Sequence, residues 1–158
     1  MPQGLDQEMI LRGILYAGQP EIQEMEVLTP GALCPGRLVI AETTEYQCTV
    51  APTNSILVLG VADVPSDKRV DYYYTPSAGG ANSYNFTAGD QIRVLRGDIV
   101  VRLVAVSGQS IVVGTRLEAA ANGMVKPAVA TEADQIIGYS LEIQTADKCD
   151  WLLVKLTI

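Results

Sequence analysis

The chain has 158 residues, 48% hydrophobic and 18% charged, which suits one compact domain or a closely fused pair. It contains no histidine, which excludes Ser-His-Asp triads, Cys-His dyads and His-ligated metal centres. The formal net charge of -7 argues against nucleic acid as a partner, because phosphate-backbone affinity comes from Lys and Arg.

The N-terminal segment, residues 1–21, is predicted to be an arm outside the core. It is acidic, which does not fit the positively charged start of a secretory signal, and no segment approaches the ~18 apolar residues of a membrane span. We therefore expect synthesis in the cytoplasm and no membrane. The apolar residues of the arm are broken by Gly4, Gly13 and Gly18; they are Leu5, Met9, Ile10, Leu11, Ile14, Leu15 and Tyr16.

Two interpretations of this arm follow from its pattern. An extended segment with apolar residues can add as a strand to an exposed sheet edge on a partner, with those residues as anchors. Alternatively, the arm is a disordered tail or a strand that folds back onto its own domain.

Residues 22–158 are predicted to form a β domain. Short runs of Val, Ile, Leu, Tyr and Thr alternate there with Gly, Pro, Asn and Asp, which is typical of strands joined by tight turns. Helix has little support beyond the arm. The predicted strands are 22–27, 37–42, 46–50, 56–62, 70–74, 91–95, 99–106, 116–120, 124–129, 136–143 and 151–158.

Three of these segments carry sharper expectations. Residues 99–106 are apolar on both faces except at Arg102, which predicts a central strand. Residues 151–158 keep their apolar side chains on one face, which predicts a strand that closes the domain. Asn122 and Gly123 tolerate the two positive φ angles of a type I′ turn, which predicts a hairpin between the flanking strands.

An internal repeat is visible in the spacing of glycine and threonine. The pattern Gly36, Thr53, Gly60 recurs as Gly114, Thr131, Gly138 with the same offsets. This indicates a repeated β-unit, at about 28–64 and 106–143, in which one glycine begins a strand after a turn and the other allows close backbone approach or a bulge.

A loop insertion of about 65–88 separates the two units. Its small residues predict a flexible excursion, and long loops in compact domains are often functional. It is a candidate interface loop through Tyr72, Tyr73, Tyr74, Tyr84 and Phe86. The alternative is a tyrosine-bearing strand followed by a mobile tip.

The motifs of common catalytic and phosphate sites are absent from the sequence, including Gly-x-Ser-x-Gly and Gly-x-Gly-x-x-Gly. Ser66-Asp67-Lys68 lies in a polar turn, and Asp90 and Asp98 beside Arg93 and Arg96 favour turns and ion pairs. The three cysteines, Cys34, Cys48 and Cys149, have no CxxC spacing and are predicted to be buried or half-buried thiols. We expect no catalytic residues, metal or cofactor.

The order of several glycine-centred segments resembles the capsid decoration, or cement, proteins of tailed viruses with HK97-type shells. The segments that carry this resemblance are 87–94, 97–102, 112–117, 122–125 and 135–142. The resemblance covers about 87–158 and, more faintly, 28–64. It implies an all-β protein with a small β-barrel or β-tulip domain. Such a protein sits on the outside of an expanded capsid, often as a homotrimer, and clamps neighbouring major capsid subunits through an N-terminal arm.

The expected function is therefore that of a virion structural protein, made in the host cytoplasm, that stabilises the capsid. Its acidic balance suits an outer surface, away from packaged phosphate. Two alternatives stay open. Residues 88–94 loosely resemble the β-rich domain of self-cleaving repressors and signal peptidases, which would imply a Ser-Lys peptidase. A tail or fibre component would use the same β-units and form trimers that never bind heads.

Overall fold

A computed structural model describes residues 14–63, 86–129, 135–144 and 151–158. Within these ranges the chain is nearly all-β, as predicted, with one short 3-10 turn at Ala121–Gly123. The strands are β1 (Leu15–Ala17), β2 (Glu21–Thr29), β3 (Leu38–Ala41), β4 (Gln47–Val50), β5 (Val58–Asp63), β6 (Gln91–Arg96), β7 (Val100–Val104), β8 (Arg116–Ala119), β9 (Val125–Pro127), β10 (Gly138–Ser140) and β11 (Trp151–Leu156).

The first barrel consists of β2 to β6. These strands close in the order β2-β4-β3-β5-β6, with β2 parallel to β4 and antiparallel to β6. Met25 and Val27 of β2 lie on one face of the sheet and are buried, as are Ile92 and Val94 on the same face of β6. Closure removes most of the free edge that an open sheet would expose.

The second unit is a six-stranded sheet of β7 to β11 with β1 as an additional edge strand, and we call it the second barrel because one isolated bridge joins its two ends. Its sheet order is β1-β7-β11-β10-β8-β9. A parallel bridge between Ala105 and Val125 brings β9 back to the end of β7, and the Val106 N–H donates to the Val125 carbonyl over 2.9 Å. With this bridge, the strands of the second barrel follow the order of the first. β7, β9, β8, β10 and β11 correspond to β2, β4, β3, β5 and β6.

The glycines of the predicted repeat occupy equivalent places in the two barrels. Gly60 pairs with Val39 in the first barrel, and Gly138 pairs with Leu117 at the same point of the second. A Cβ at Gly60 would lie 2.5 Å from the Leu95 carbonyl oxygen, and a Cβ at Gly138 would lie 2.1 Å from the Lys155 oxygen. Both glycines therefore allow the close strand approach that their spacing predicted.

The correspondence extends beyond the predicted units 28–64 and 106–143. β8, which starts at Arg116, corresponds to β3, which starts at Leu38. β11, which starts at Trp151, corresponds to β6, which starts at Gln91. The difference in residue number is smaller between β6 and β11 than between β3 and β8, because the segment that precedes β6 is longer than the one that precedes β11. The described strands thus form one closed five-stranded barrel and a second, six-stranded sheet in which the strand order of the barrel recurs.

The two barrels share one hydrophobic core and contact each other through their turns. Gly36, at φ +85°, packs against the Trp151 ring, and its carbonyl accepts the Val104 N–H over 3.1 Å. The Gly123 N–H donates to the Ala51 carbonyl over 2.9 Å, and Arg37 Nη1 donates to the Asn122 carbonyl over 3.0 Å. These contacts join the start of β3 to the second barrel.

The sharper local predictions are confirmed. Asn122 and Gly123 have φ of 55° and 71°, and the Met124 N–H donates to the Ala121 carbonyl over 3.2 Å, which closes the predicted hairpin turn. β7 is central between β1 and β11, and β11 alternates buried and half-buried residues along its length. The predicted strand 70–74 lies outside the described residues.

The described part of the N-terminal segment belongs to the domain. Ile14 is a buried core residue, and Leu15–Ala17 pair with Val100 and Val101 as strand β1. Glu21 already starts β2. The expectation of an arm outside the core is therefore corrected for residues 14–21, because this segment satisfies the free edge of β7. Residues 1–13 lie outside the described residues, and for them the arm stays a prediction.

Candidate functional site

Asp98, Arg93 and Arg96 form ion pairs and Asp90 accepts a hydrogen bond in a turn, as the sequence indicated. Arg93 bonds to Asp63 over 2.8 Å, Arg96 bonds to Glu21 over 2.8 Å, and Lys155 pairs with Asp98. No group of three or more His, Cys, Asp or Glu side chains in this part of the chain is arranged to hold a metal ion. Nor does any helix there have the length and apolarity to cross a membrane. Ser66, Asp67 and Lys68 lie outside the described residues.

The cysteines that the structure describes are buried, as predicted. Cys34 and Cys48 are both fully buried, whereas Cys149 lies outside the described ranges. Burial, with a smaller contribution from the charge of Glu42, raises the pKa of the Cys48 thiol to about 11. A thiol of this kind stays protonated at neutral pH and is a poor nucleophile.

The predicted anchors of the arm have different surroundings. Ile14 is buried in this chain's own core, and Leu15 is half-buried against it. Tyr16 is 48% exposed, and the Arg102 guanidinium lies 5.5 Å from the centre of its ring. Among the predicted anchors within the described ranges, only Tyr16 presents a large surface to solvent. The remaining anchors, Leu5, Met9, Ile10 and Leu11, lie outside those ranges.

The predicted interface loop is described only at its end. Tyr72, Tyr73, Tyr74 and Tyr84 lie outside the described residues. Phe86 is 2% exposed in the core, and its N–H donates to the Leu33 carbonyl over 2.8 Å. Phe86 is therefore corrected from a surface contact to a core residue, because the chain has already returned to the first barrel at this point.

An exposed apolar patch, which sequence reasoning missed, lies on the second barrel. Ile111 and Gln144 exchange two main-chain hydrogen bonds of 2.8 and 2.9 Å. This pairing brings Val112 next to Ile143, and Val112, Val113 and Ile143 are 60%, 60% and 71% exposed. Apolar surface of this kind is typical of sites that contact another macromolecule. The sequence signal was the pair Val112-Val113 before a turn glycine.

An open groove, also missed, lies beside the first half of β2. It has a volume of about 380 Å³ and is lined by Gln23, Met25, Leu59 and the loop 41–47. Tyr46, at the tip of that loop, is 65% exposed and has φ of 61°. Glu42 and Glu45 line the groove, so its rim is acidic.

The fold is similar to that of a solved phage protein. The N base of the head fiber gp8.5 of bacteriophage phi29 aligns with 88% of this chain and 95% of its own chain, at a TM-score of 0.54 and 15% sequence identity. At this identity the similarity shows a shared fold. No protein-family model and no curated protein matches the chain.

Proposed function

We propose that this chain is a virion structural protein of a tailed phage that binds the outside of the capsid and stabilises it by bridging major capsid subunits. The observation that carries the proposal is the fold, because the protein that shares it over 88% of this chain is the base of a phage head fiber. The sequence resemblance to capsid decoration proteins points the same way, and it rests on other observations than the fold comparison.

The surfaces of the molecule suit binding to a large partner better than turnover of a small one. The apolar patch of Val112, Val113 and Ile143 is exposed, and the open groove beside β2 is wide and shallow. Contacts of this type become strong on a shell, because one protein that bridges several subunits gains from effective concentration. The proposed function requires no catalysis and no cofactor.

We further propose that the protein acts as a homotrimer, as the resemblance to decoration proteins implies. Light scattering coupled to size exclusion would then give three times the chain mass of 16.9 kDa. A single chain mass at high protein concentration would contradict this assembly.

The proposal is tested by co-sedimentation of the purified protein with expanded, undecorated heads of its virus. The full chain should bind saturably, and a variant that lacks residues 1–13 should bind more weakly if the arm clamps the capsid. This deletion stops before Ile14 and so leaves the described core intact. The substitution Thr53→Lys, at an exposed site outside the apolar patch and the groove, is a control for non-specific charge effects. Failure of the full chain to bind heads would contradict the proposal.

A second candidate is the base of a head or tail fibre, since the structural neighbour is itself a fibre base. Electron microscopy of heads with bound protein separates the two roles. A thin layer of density distributed over the shell supports decoration, whereas long projections at separate points support a fibre.

A further inference from the structure

The first half of β2 has an open edge within the described structure. Glu21 to Glu26 pair with β6 on one side, but pairing with β4 on the other side starts only at Glu26. The Val27 N–H donates to the Asp90 carbonyl on the β6 side, and the Glu26 N–H donates to the Tyr46 carbonyl on the β4 side. The N–H and C=O groups of successive residues in a strand point to alternate sides. The main-chain groups of Ile22 and Glu24 therefore point to the same side as those of Glu26, which is the open side.

The equivalent edge in the second barrel is occupied. Val100 and Val101 of β7, which correspond to Ile22 and Gln23, pair with β1. The N–H of Arg102, which corresponds to that of Glu24, donates to the Ile14 carbonyl over 2.8 Å. The described strands thus fill this edge position in the second barrel, whereas no described strand occupies it in the first.

Side-chain burial follows the same difference. Val101 and Ile137 of the second barrel are fully buried. Their counterparts in the first barrel, Gln23 and Leu59, are exposed and half-buried, and both line the open groove. An added strand beside Ile22 and Glu24 would cover Leu59 as β1 covers its own edge.

The acidic charge around the groove favours a basic segment as its binding partner. Glu24, Glu42 and Glu45 have no ion-pair partner within the described ranges. The chain's own N-terminal residues 1–13 carry Asp6 and Glu8 against Arg12, so a second copy of this segment would be repelled. A segment with Lys or Arg flanking an apolar residue complements both the rim and Leu59.

We propose that the open edge of β2 binds an extended, basic segment of the major capsid protein as an added β-strand. This inference rests on the function proposed above and specifies where one partner segment docks. Main-chain hydrogen bonds to Ile22 and Glu24 supply affinity, and the acidic rim supplies selectivity.

The experiment compares binding of the wild-type chain, Glu24→Pro and Glu24→Lys to expanded, undecorated heads. Glu24→Pro removes an N–H that faces the open side and leaves the bonds to β6 in place. Glu24→Lys keeps the N–H and reverses the charge, so it still tests the docking site if the proline variant does not fold. We expect each to weaken binding about tenfold, as loss of one hydrogen bond or charge contact does. The control Thr53→Lys should bind as the wild type does.

Hydrogen exchange of the wild-type protein on heads gives a second readout. The amides of residues 22 and 24 should exchange more slowly when bound, whereas that of Arg102 should already be protected in the free protein. If the wild type binds heads while both Glu24 variants bind equally well, the docking site is wrong and the proposed function stands. If the wild type does not bind heads, both are wrong. If the isolated protein self-associates and Glu24→Pro abolishes this, the occupant is a second copy and the inference is overturned.

Discussion

The two barrels have the same strand order but differ in how the first strand of each is paired. β7 of the second barrel lies between β11 and β1, whereas among the described strands the first half of β2 is paired on its β6 side alone. The β8–β9 hairpin also encloses an ion pair, with Glu118 fully buried and Lys126 Nζ 3.2 Å from its carboxylate. In the first barrel the position that corresponds to Glu118 is Ile40.

In the proposed docking, these differences give the first strands of the two barrels different tasks. The second barrel completes its sheet at this edge with the chain's own segment. The first keeps a strand edge available, which native proteins tolerate where it is charged or where it binds a partner. Substitutions at equivalent places in the two barrels test this division.

The largest expected effect concerns the ion pair of the second barrel. Lys126→Met leaves the buried carboxylate of Glu118 without its counter-charge, and neither oxygen accepts another hydrogen bond within the described structure. We expect a loss of about 4 kcal/mol in the free energy of unfolding, measured with urea. The double variant Glu118→Ile with Lys126→Met copies the apolar first barrel and should come within about 1 kcal/mol of the wild type. A double variant as unstable as the single one would contradict this account.

The glycines that the two barrels share provide the next test. Gly60→Ala and Gly138→Ala each place a Cβ within 2.5 Å of a backbone oxygen on the neighbouring strand. Each should lower the free energy of unfolding by about 3 kcal/mol, because two strands must separate. Gly108→Ala, at φ +81° with nothing within 4 Å, is the matched control and should cost about 1 kcal/mol through backbone strain alone. Equal losses at all three positions would refute the proposed role of Gly60 and Gly138.

The contribution of β1 is tested at Ile14. This side chain is buried to 1% exposure, so Ile14→Ala should cost about 2 kcal/mol of unfolding free energy. Ile22→Ala, at the 51% exposed position on the open edge, should cost less than about 0.5 kcal/mol. If the two substitutions have the same effect, β1 does not distinguish the barrels.

The smallest expected effect is the pH dependence that Cys48 contributes. The pKa of its thiol rises from 9.0 to about 11 on folding, so between these pH values the unfolded chain loses a proton that the folded chain keeps. Stability should therefore fall as the pH rises through this window, by up to about 1.4 kcal/mol per pH unit. Urea unfolding at pH 8 and pH 10 measures the change, and Cys48→Ala should remove this part of it. If the unfolding free energies of the wild type and of Cys48→Ala change equally between pH 8 and pH 10, the thiol does not contribute.

Local patterns predicted most of the strands and the hairpin turn. The alternation of Leu152, Val154 and Leu156 identified β11, and the two residues Asn122 and Gly123 identified the turn, because both signals depend only on neighbours in the chain. The repeat was indicated by the positions of Gly60 and Gly138, which have the same spacing from Gly36 and Gly114 and can be compared directly in the sequence. These features could be read from the sequence without knowledge of the fold.

The features that were missed depend on distant pairings. β1 is a short strand, and its partners Val100 and Val101 lie in a distant part of the chain, so no local pattern marks it. Phe86 follows a glycine-rich segment but is buried because the chain there meets Leu33. The full duplication was missed because the offset between the barrels becomes shorter before the last strand of each. The open edge of β2 became visible only when the two barrels could be compared.

The most direct test of the central claim is a cryo-electron microscopy reconstruction of expanded heads saturated with this protein. We predict density for the paired barrels on the outer surface, in contact with neighbouring capsid subunits, and a strand of capsid protein beside residues 22–24. Heads that stay bare at saturating protein concentration, or density confined to the tail, would contradict the account.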